Sequence, residues 1–299
     1  MMKIQQRLWA IILVAIVLSF RATHGYGQKT EPDVEFVPTP TKVVLEMLKI
    51  ANVTKEDVVY DLGCGDGRIV ITAAKLYGAR GVGVDIDPFR IRESNENAAK
   101  AGVADRVKFF QGDLFQTDLS EASVVALYLL PELNVRLRPK LFRELKPGTR
   151  IVSHDFHMGD WKPDYSGLVK NVSYQYFEIM GHERDAQFYY WVIPAHAAGL
   201  WRLGVETPTS QRSFTLRLEQ TFQEIKGSVI DRGQEAAIID ARLMGDQISF
   251  TMKNGMDKRP VIMHFTGRIS GDTMKGSAVV QEGSLTRKHD WTARRTTSF

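Results

Sequence analysis

The sequence predicts an α/β fold, a doubly wound parallel sheet, followed by a small all-β domain. Three observations predict it. From Val58 onward, short apolar runs of strand length alternate with segments of helical periodicity. The first of these runs, Val59-Tyr60-Asp61-Leu62, passes into the glycine loop Gly63-Cys64-Gly65-Asp66-Gly67-Arg68, a strand–loop–helix junction of the kind at which open α/β sheets bind nucleotide-like cofactors. After Pro194 the pattern changes to period 2, with Phe214, Leu216 and Leu218 alternating with Thr215, Arg217 and Glu219.

Each element has a local cause. Pro38-Thr39-Pro40 opens a helix from Thr41 to Ala51, because Val43, Val44, Met47, Leu48 and Ala51 fall on one helical face. Strands are expected at 58–62, 80–85, 106–111, 123–129 and 150–156, and helices at 67–77, 88–101 and within 132–146. Asp87 reads as a helix N-cap with Pro88 at the first helical position, and Gly102 as the stop. Pro139 marks a break or a fresh start in the last helix, and Lys146-Pro147-Gly148 a turn. Asn171–Met180 and Ala186–Ile193, flanking Gly181–Asp185, read as a hairpin that brings the sheet to seven strands. In the β domain, period-2 runs at 236–243, 247–252, 260–270 and 273–280 are separated by Gly245-Asp246 and Gly271-Asp272. Leu243–Ser249 and Ile269–Lys275 are similar, which suggests a repeated hairpin within a small antiparallel barrel or sandwich.

The glycine loop indicates the chemistry. A dinucleotide site has G-x-G-x-x-G and faces a pyrophosphate. Here the spacing is G-x-G-x-G, and Asp61 and Asp66 flank it. Two carboxylates would repel a pyrophosphate and suit a ligand with cationic groups, such as S-adenosylmethionine with its ammonium and sulfonium. A second strand ends in Gly83-Val84-Asp85-Ile86, and Asp85 stands 18 residues after Gly67, where Rossmann-like sites place the acid that accepts ribose hydroxyls. A third strand ends in Gly112-Asp113-Leu114, where an ordinary Asx turn is the competing reading.

Asp61-Leu62-Gly63-Cys64-Gly65-Asp66-Gly67 resembles the glycine motif of class I S-adenosylmethionine-dependent methyltransferases. The resemblance implies the seven-stranded Rossmann-like sheet, S-adenosylmethionine as cofactor, and Asp61, Gly63, Cys64, Gly65, Asp66, Gly67, Asp85, Ile86, Asp113 and Leu114 as its binding residues, with Asp113 holding the adenine amino group. Val37-Pro38-Thr39-Pro40, the loop with Ile69-Val70, the segment Leu127-Tyr128-Leu129-Leu130-Pro131, and Leu145–Ser153 together resemble one branch of that class. It includes archaeal protein-lysine methyltransferases and mitochondrial enzymes that methylate a lysine of the ATP synthase c-subunit. The resemblance covers roughly residues 36–160 and implies a protein substrate with a lysine ε-amine acceptor. Tyr128 at the strand end is the candidate catalytic residue, orienting the amine by its hydroxyl or ring face, with a core aromatic as the alternative. His154, Asp155 and His157 follow the fifth strand and are expected to aid proton removal or line the acceptor cleft; two His and one Asp within four strand residues alternate faces, which argues against a metal. The other readings are a small-molecule O- or N-methyltransferase near the membrane and a non-catalytic scaffold acting through the β domain.

Composition is ordinary for a globular chain, at 43% hydrophobic and 25% charged residues, and the net charge of +4 is too weak to argue for nucleic acid. From His196 onward there are 15 Lys and Arg against 11 Asp and Glu, so the whole excess lies in the β domain. Cys64 is the one cysteine, which rules out an intramolecular disulfide and leaves cysteine-nucleophile chemistry no other residue. Lys3 and Arg7 precede an apolar run from Leu8 to Phe20 with small residues at Gly25 and Gly27, a signal-peptide pattern; Arg21 directly after the run leaves an uncleaved anchor open. Either reading exports the body of the chain or anchors it at a membrane. The expected organisation is a signal or anchor at 1–27, a linker at 28–40, a cofactor-binding domain at 41–195 and a β domain at 196–299.

Overall fold

The structure, a computed structural model, describes residues 34–174, 183–207, 210–254 and 261–296. The N-terminal apolar run, residues 28–33 of the expected linker and residues 175–182 lie outside the described residues.

The first unit runs α1 (Thr41–Ile50), β1 (Val58–Leu62), α2 (Arg68–Tyr77), β2 (Arg80–Asp85), α3 (Pro88–Ala101), β3 (Val107–Gln111), β4 (Val124–Leu127), α4 (Pro131–Glu144), β5 (Arg150–His154), β6 (Tyr165–Ser173) and β7 (Glu183–Val192). Its strands form one sheet in the order β3-β2-β1-β4-β5-β7-β6. The first five are parallel, and β7 runs antiparallel between β5 and β6. Every residue of β1 and of β4 is buried, as the central strands of a sheet covered on both faces must be. The chain leaves β1 for β2 on one side and reaches β4 on the other. The carboxyl ends of β1, β2 and β4 therefore open on the crevice where such sheets bind ligands.

The helices cap as their sequences direct. The Asp87 side chain accepts from the Phe89 amide at 2.7 Å, and Gly102 ends α3 in the left-handed conformation. Several expected bounds need correction. The fourth and fifth strands stop at Leu127 and His154, because Tyr128–Leu130 turn out over the crevice and Asp155, at φ 59°, swings the chain away. Pro139 breaks nothing: α4 is continuous, since Leu137 and Leu141 on either side are fully buried and their packing offsets the lost backbone bond. In the hairpin, β6 is Tyr165–Ser173 and so begins before the expected Asn171, residues 175–180 of the expected strand lie outside the described residues, and Glu183–Asp185 belong to β7 rather than to a turn. β6 is an edge strand with mostly exposed side chains, so it carries no apolar alternation to read.

The second unit is one nine-stranded antiparallel sheet, β8 (Gly199–Thr207), β9 (Ser210–Thr221), β10 (Glu224–Asp231), β11 (Gln234–Ala237), β12 (Ile239–Met244), β13 (Gln247–Asn254), β14 (Val261–Ser270), β15 (Thr273–Glu282) and β16 (Leu285–Thr296). Its order, β11-β10-β9-β8-β16-β15-β14-β13-β12, joins first strand to last, and β10 adjoins β12, so the sheet curls into a nearly closed barrel. Trp201, Phe250, Phe265, Met274 and Trp291 fill its interior. The repeated hairpin is present: Gly245-Asp246 and Gly271-Asp272 are both two-residue turns with the glycine at positive φ. Asp246 pairs with Arg268, and Asp272 with Arg295.

An aromatic seam joins the units. Phe222, in the β9–β10 turn, lies 6.0 Å from Trp161 and 5.7 Å from Phe142 of α4, measured between ring centroids. Trp161 Nε1 donates to Gln223 Oε1 at 2.8 Å, and Gln223 Nε2 donates to the Lys162 carbonyl at 2.7 Å. Because Trp161 is fully buried between the two units, Trp161→Ala should destabilise the whole chain by about 3–5 kcal/mol. Denaturant unfolding followed by circular dichroism checks this, and a loss confined to one of two separate transitions would show that the seam does not couple them.

Candidate functional site

One cavity of about 370 Å³ opens at the carboxyl ends of β1, β2 and β4. The glycine loop forms its floor. The amides of Gly63 and Cys64 donate to the Val84 carbonyl, at 2.8 and 3.0 Å. Asp85 completes the tie: its Oδ2 accepts from the Gly65 amide at 2.8 Å and its Oδ1 from the Asp87 amide at 3.0 Å. Each oxygen keeps a lone pair for a ligand hydroxyl. Gly65, at φ 53°, must be glycine, since a Cβ there would stand 2.0 Å from the Phe36 ring.

Asp61 sets the electrostatics. It is fully enclosed, lines the cavity, and no described residue hydrogen-bonds its carboxylate. Burial, and then the charges of Asp85 and Asp66, hold its pKa well above the usual carboxylate range. Asp66 also lines the cavity, but Arg68 neutralises it through Nε to Oδ1 at 2.9 Å and NH2 to Oδ2 at 2.6 Å. Asp113 Oδ1 accepts from the Phe115 amide at 2.8 Å, so the Asx turn is real, and the residue still lines the cavity with Ile86 and Leu114. Gly63 and Cys64 line it too. Gly65 and Gly67 do not: they stand behind it, Gly65 under Phe36 and Gly67 at the N-cap of α2 against Phe109. Burial, together with the Asp61 and Asp85 charges, raises the Cys64 thiol well above its usual pKa, so it is an inert wall.

Residues 34–40, expected as linker, form a strap across the site, and Val34 through Thr39 line the cavity. Pro-rich, charged sequence carries no signal for this, because the contacts that hold the strap are supplied by distant elements. Arg68 NH1 donates to the Thr39 carbonyl at 2.9 Å, and the Arg90 guanidinium lies 4.1 Å from the Phe36 ring centre.

Tyr128, Leu129 and Leu133 close the far side. Burial, then Asp155, pushes the Tyr128 hydroxyl up to about 12, so it stays protonated. His154 is not the cavity residue it was expected to be. It is fully buried behind Tyr128, with ring centroids 3.9 Å apart, and burial lowers its pKa to about 4. His157 is exposed, its Nδ1 accepting from the Gly159 amide at 3.0 Å. Among the described residues no cluster of His, Cys, Asp or Glu could hold a metal.

The arrangement defines a Rossmann-like protein with a nucleoside site at the switch point of its sheet. The orphaned Asp61 carboxylate fits the ammonium of S-adenosylmethionine, the glycine loop leaves room for its amino-acid moiety, and Asp85 retains acceptors for ribose. The description "ANTKMT methyltransferase domain" matches residues 61–165. A protein-lysine N-methyltransferase of Saccharolobus islandicus is 54% identical over 133 residues, covering 44% of this chain and 83% of that one. Similar too is the human lysine N-methyltransferase of the ATP synthase c-subunit, at 35% identity over 152 residues, covering 50% of this chain and 64% of that one. A solved RNA methyltransferase from Salinibacter ruber, in complex with S-adenosyl-L-homocysteine, is 52% identical, covering 52% of this chain and 93% of that one with a TM-score of 0.47. The chain belongs to the S-adenosylmethionine-dependent methyltransferases, in the family of the Saccharolobus islandicus enzyme.

Asp61 generates a prediction with a defined sign. Its raised pKa means that protonation stabilises the ligand-free fold, and that this stability is lost as pH rises through the folded value. Asp61→Asn should therefore raise the melting temperature of the ligand-free protein at neutral pH. The same change should weaken S-adenosylmethionine binding by about 10–100-fold, the worth of a charge-assisted hydrogen bond. In the wild type, affinity should fall as pH falls through the Asp61 pKa. Calorimetry and thermal melts measure both effects; unchanged affinity in the variant would remove Asp61 from the binding site.

Proposed function

We propose that this chain is a protein-lysine N-methyltransferase. The observation that carries the reading is the charge of its cavity: Glu35, Asp61, Asp66, Asp85, Asp87 and Asp113 line it, against Arg68 and Arg90 only. Such a lining attracts a cationic acceptor and repels a polyanionic one. The lysine methyltransferases at 54% and 35% identity support the same acceptor. A wide cleft beside Tyr128 favours a protein acceptor, and an enclosed apolar pocket a small one.

Asp61, Asp85, Asp113 and the backbone of the glycine loop would hold S-adenosylmethionine, which supplies a methyl group already activated on a cationic sulfur. The protein's remaining work is placement. Tyr128, at the end of β4, offers its hydroxyl oxygen and ring face to the incoming amine. The amine must be neutral to react. Tyr128 is held protonated and His154 is buried and neutral, so neither takes its proton at neutral pH, and the proton leaves to solvent.

On this reading, purified protein given labelled S-adenosylmethionine should label lysine in a protein acceptor. Tyr128→Phe should lower kcat about tenfold, the worth of one hydrogen bond, with cofactor affinity held within about twofold. Label recovered in RNA or in a small molecule, with protein unlabelled, would overturn the lysine assignment.

We also propose that the positively charged, then apolar, segment Lys3–Phe20 exports the chain or anchors it to a membrane. Among the described residues no helix is long and apolar enough to cross one. Cell fractionation with N-terminal sequencing tests this: protein with residues 1–27 intact in the soluble cytoplasmic fraction would exclude both forms of the proposal.

A further inference from the structure

The strap and the acceptor tyrosine belong to different parts of the chain, yet both rest on one buried side chain. His154, the last residue of β5, is fully enclosed and does not line the cavity. Its Nδ1 lies 3.2 Å from Thr39 Oγ1 of the strap, and its Nε2 lies 2.9 Å from the Tyr174 hydroxyl and 3.4 Å from Asp155 Oδ2. Its ring stands 3.9 Å from that of Tyr128 and 5.8 Å from that of Tyr174, between centroids.

The partners fix the tautomer. Asp155 is paired with Arg184, bonded through both its NH groups, and accepts from the Gln187 amide at 3.0 Å, so it meets the imidazole as an acceptor. The ring nitrogen facing Asp155 and the Tyr174 oxygen therefore carries the proton. Nδ1 is left as an acceptor, and the Thr39 hydroxyl donates to it. Thr39 is thus held at both ends: its hydroxyl by His154, and its carbonyl by Arg68, whose guanidinium also grips Asp66 of the glycine loop. Thr39 and Tyr128 both line the cavity.

We propose that His154 is a positioning residue that sets the strap over the donor site and the Tyr128 ring at the acceptor site together, through its bond to Thr39 and its ring contact with Tyr128. The acceptor half of this rests on the lysine-methylation reading; the donor half does not. His154 exchanges no proton with substrate, because Tyr128 and the strap separate it from the cavity. It acts by shape and by one accepted hydrogen bond. This explains a buried, neutral imidazole at the end of a core strand, where an aliphatic residue would pack without needing polar partners.

A double-mutant cycle on the full chain tests the link. Thr39→Val removes the donor isosterically. His154→Phe keeps a ring beneath Tyr128 and removes the acceptor. Each should weaken S-adenosylmethionine binding by about three- to tenfold in calorimetry, the worth of one hydrogen bond, and the double variant should bind no more weakly than the weaker single. His154→Asn can still accept from Thr39 but has no ring, so it should keep cofactor affinity within about twofold of the wild type and lower kcat at saturating cofactor. Additive losses in the cycle, or unchanged affinity in Thr39→Val, would overturn the proposal. If His154→Phe does not fold, hydrogen exchange at residues 34–39 decides: faster exchange in Thr39→Val than in the wild type supports the link, and equal exchange overturns it. Cofactor binding is measured without any acceptor, so a failure to label lysine would leave the strap link standing and sink only the acceptor assignment.

Discussion

Asp61, a carboxylate enclosed in the central strand of the sheet, governs the site. It sits in β1, in register with Gly83 of β2 and Ala126 of β4. Small residues on both sides leave it room, and the sheet gives it no hydrogen-bond partner. An enclosed carboxylate without a hydrogen-bond partner is costly in its charged form, so burial and the neighbouring acids outweigh Arg68 and hold its pKa up. A cationic ligand is favoured there by the fold itself.

The other acids are arranged so that this one stays available. Arg68 neutralises Asp66, and Asp85 spends one lone pair of each oxygen on the backbone that shapes the loop. Asp113 does the same with one oxygen at its turn. Each thus organises the chain and still faces the cavity, whereas the Asp61 carboxylate lines the cavity without a hydrogen bond to any described residue. The strap extends the logic. Its carbonyl at Thr39 completes the Arg68 set, and Phe36 covers the backbone at Gly65 where no side chain could fit.

The barrel has its own aromatic core and meets the methyltransferase unit along Trp161, Phe142 and Phe222. This seam lies on the α4 side of the sheet, beside the element that follows Tyr128. From it a continuous aromatic packing runs through Trp161 and Trp191 to Tyr189. The barrel's interior is packed solid with side chains, so any contact it makes with a partner falls to its outer surface.

The alternation of strands and helices, the glycine loop, the strand-end acids Asp61, Asp85 and Asp113, and the repeated Gly-Asp hairpin are all legible along the chain. They are written in local spacing: period, caps, and glycine where a side chain would clash. The same reading misplaces β6, which as an exposed edge strand has no apolar alternation, and takes Pro139 for a break because neighbouring burial is invisible in one dimension. It also takes residues 34–40 for a linker and His154 for a cleft residue. Those two belong to the tertiary structure alone. Thr39 and His154 are 115 positions apart, and no periodicity links them. Which side of a strand end faces ligand, and which is sealed behind a tyrosine, is decided only when the distant segments pack.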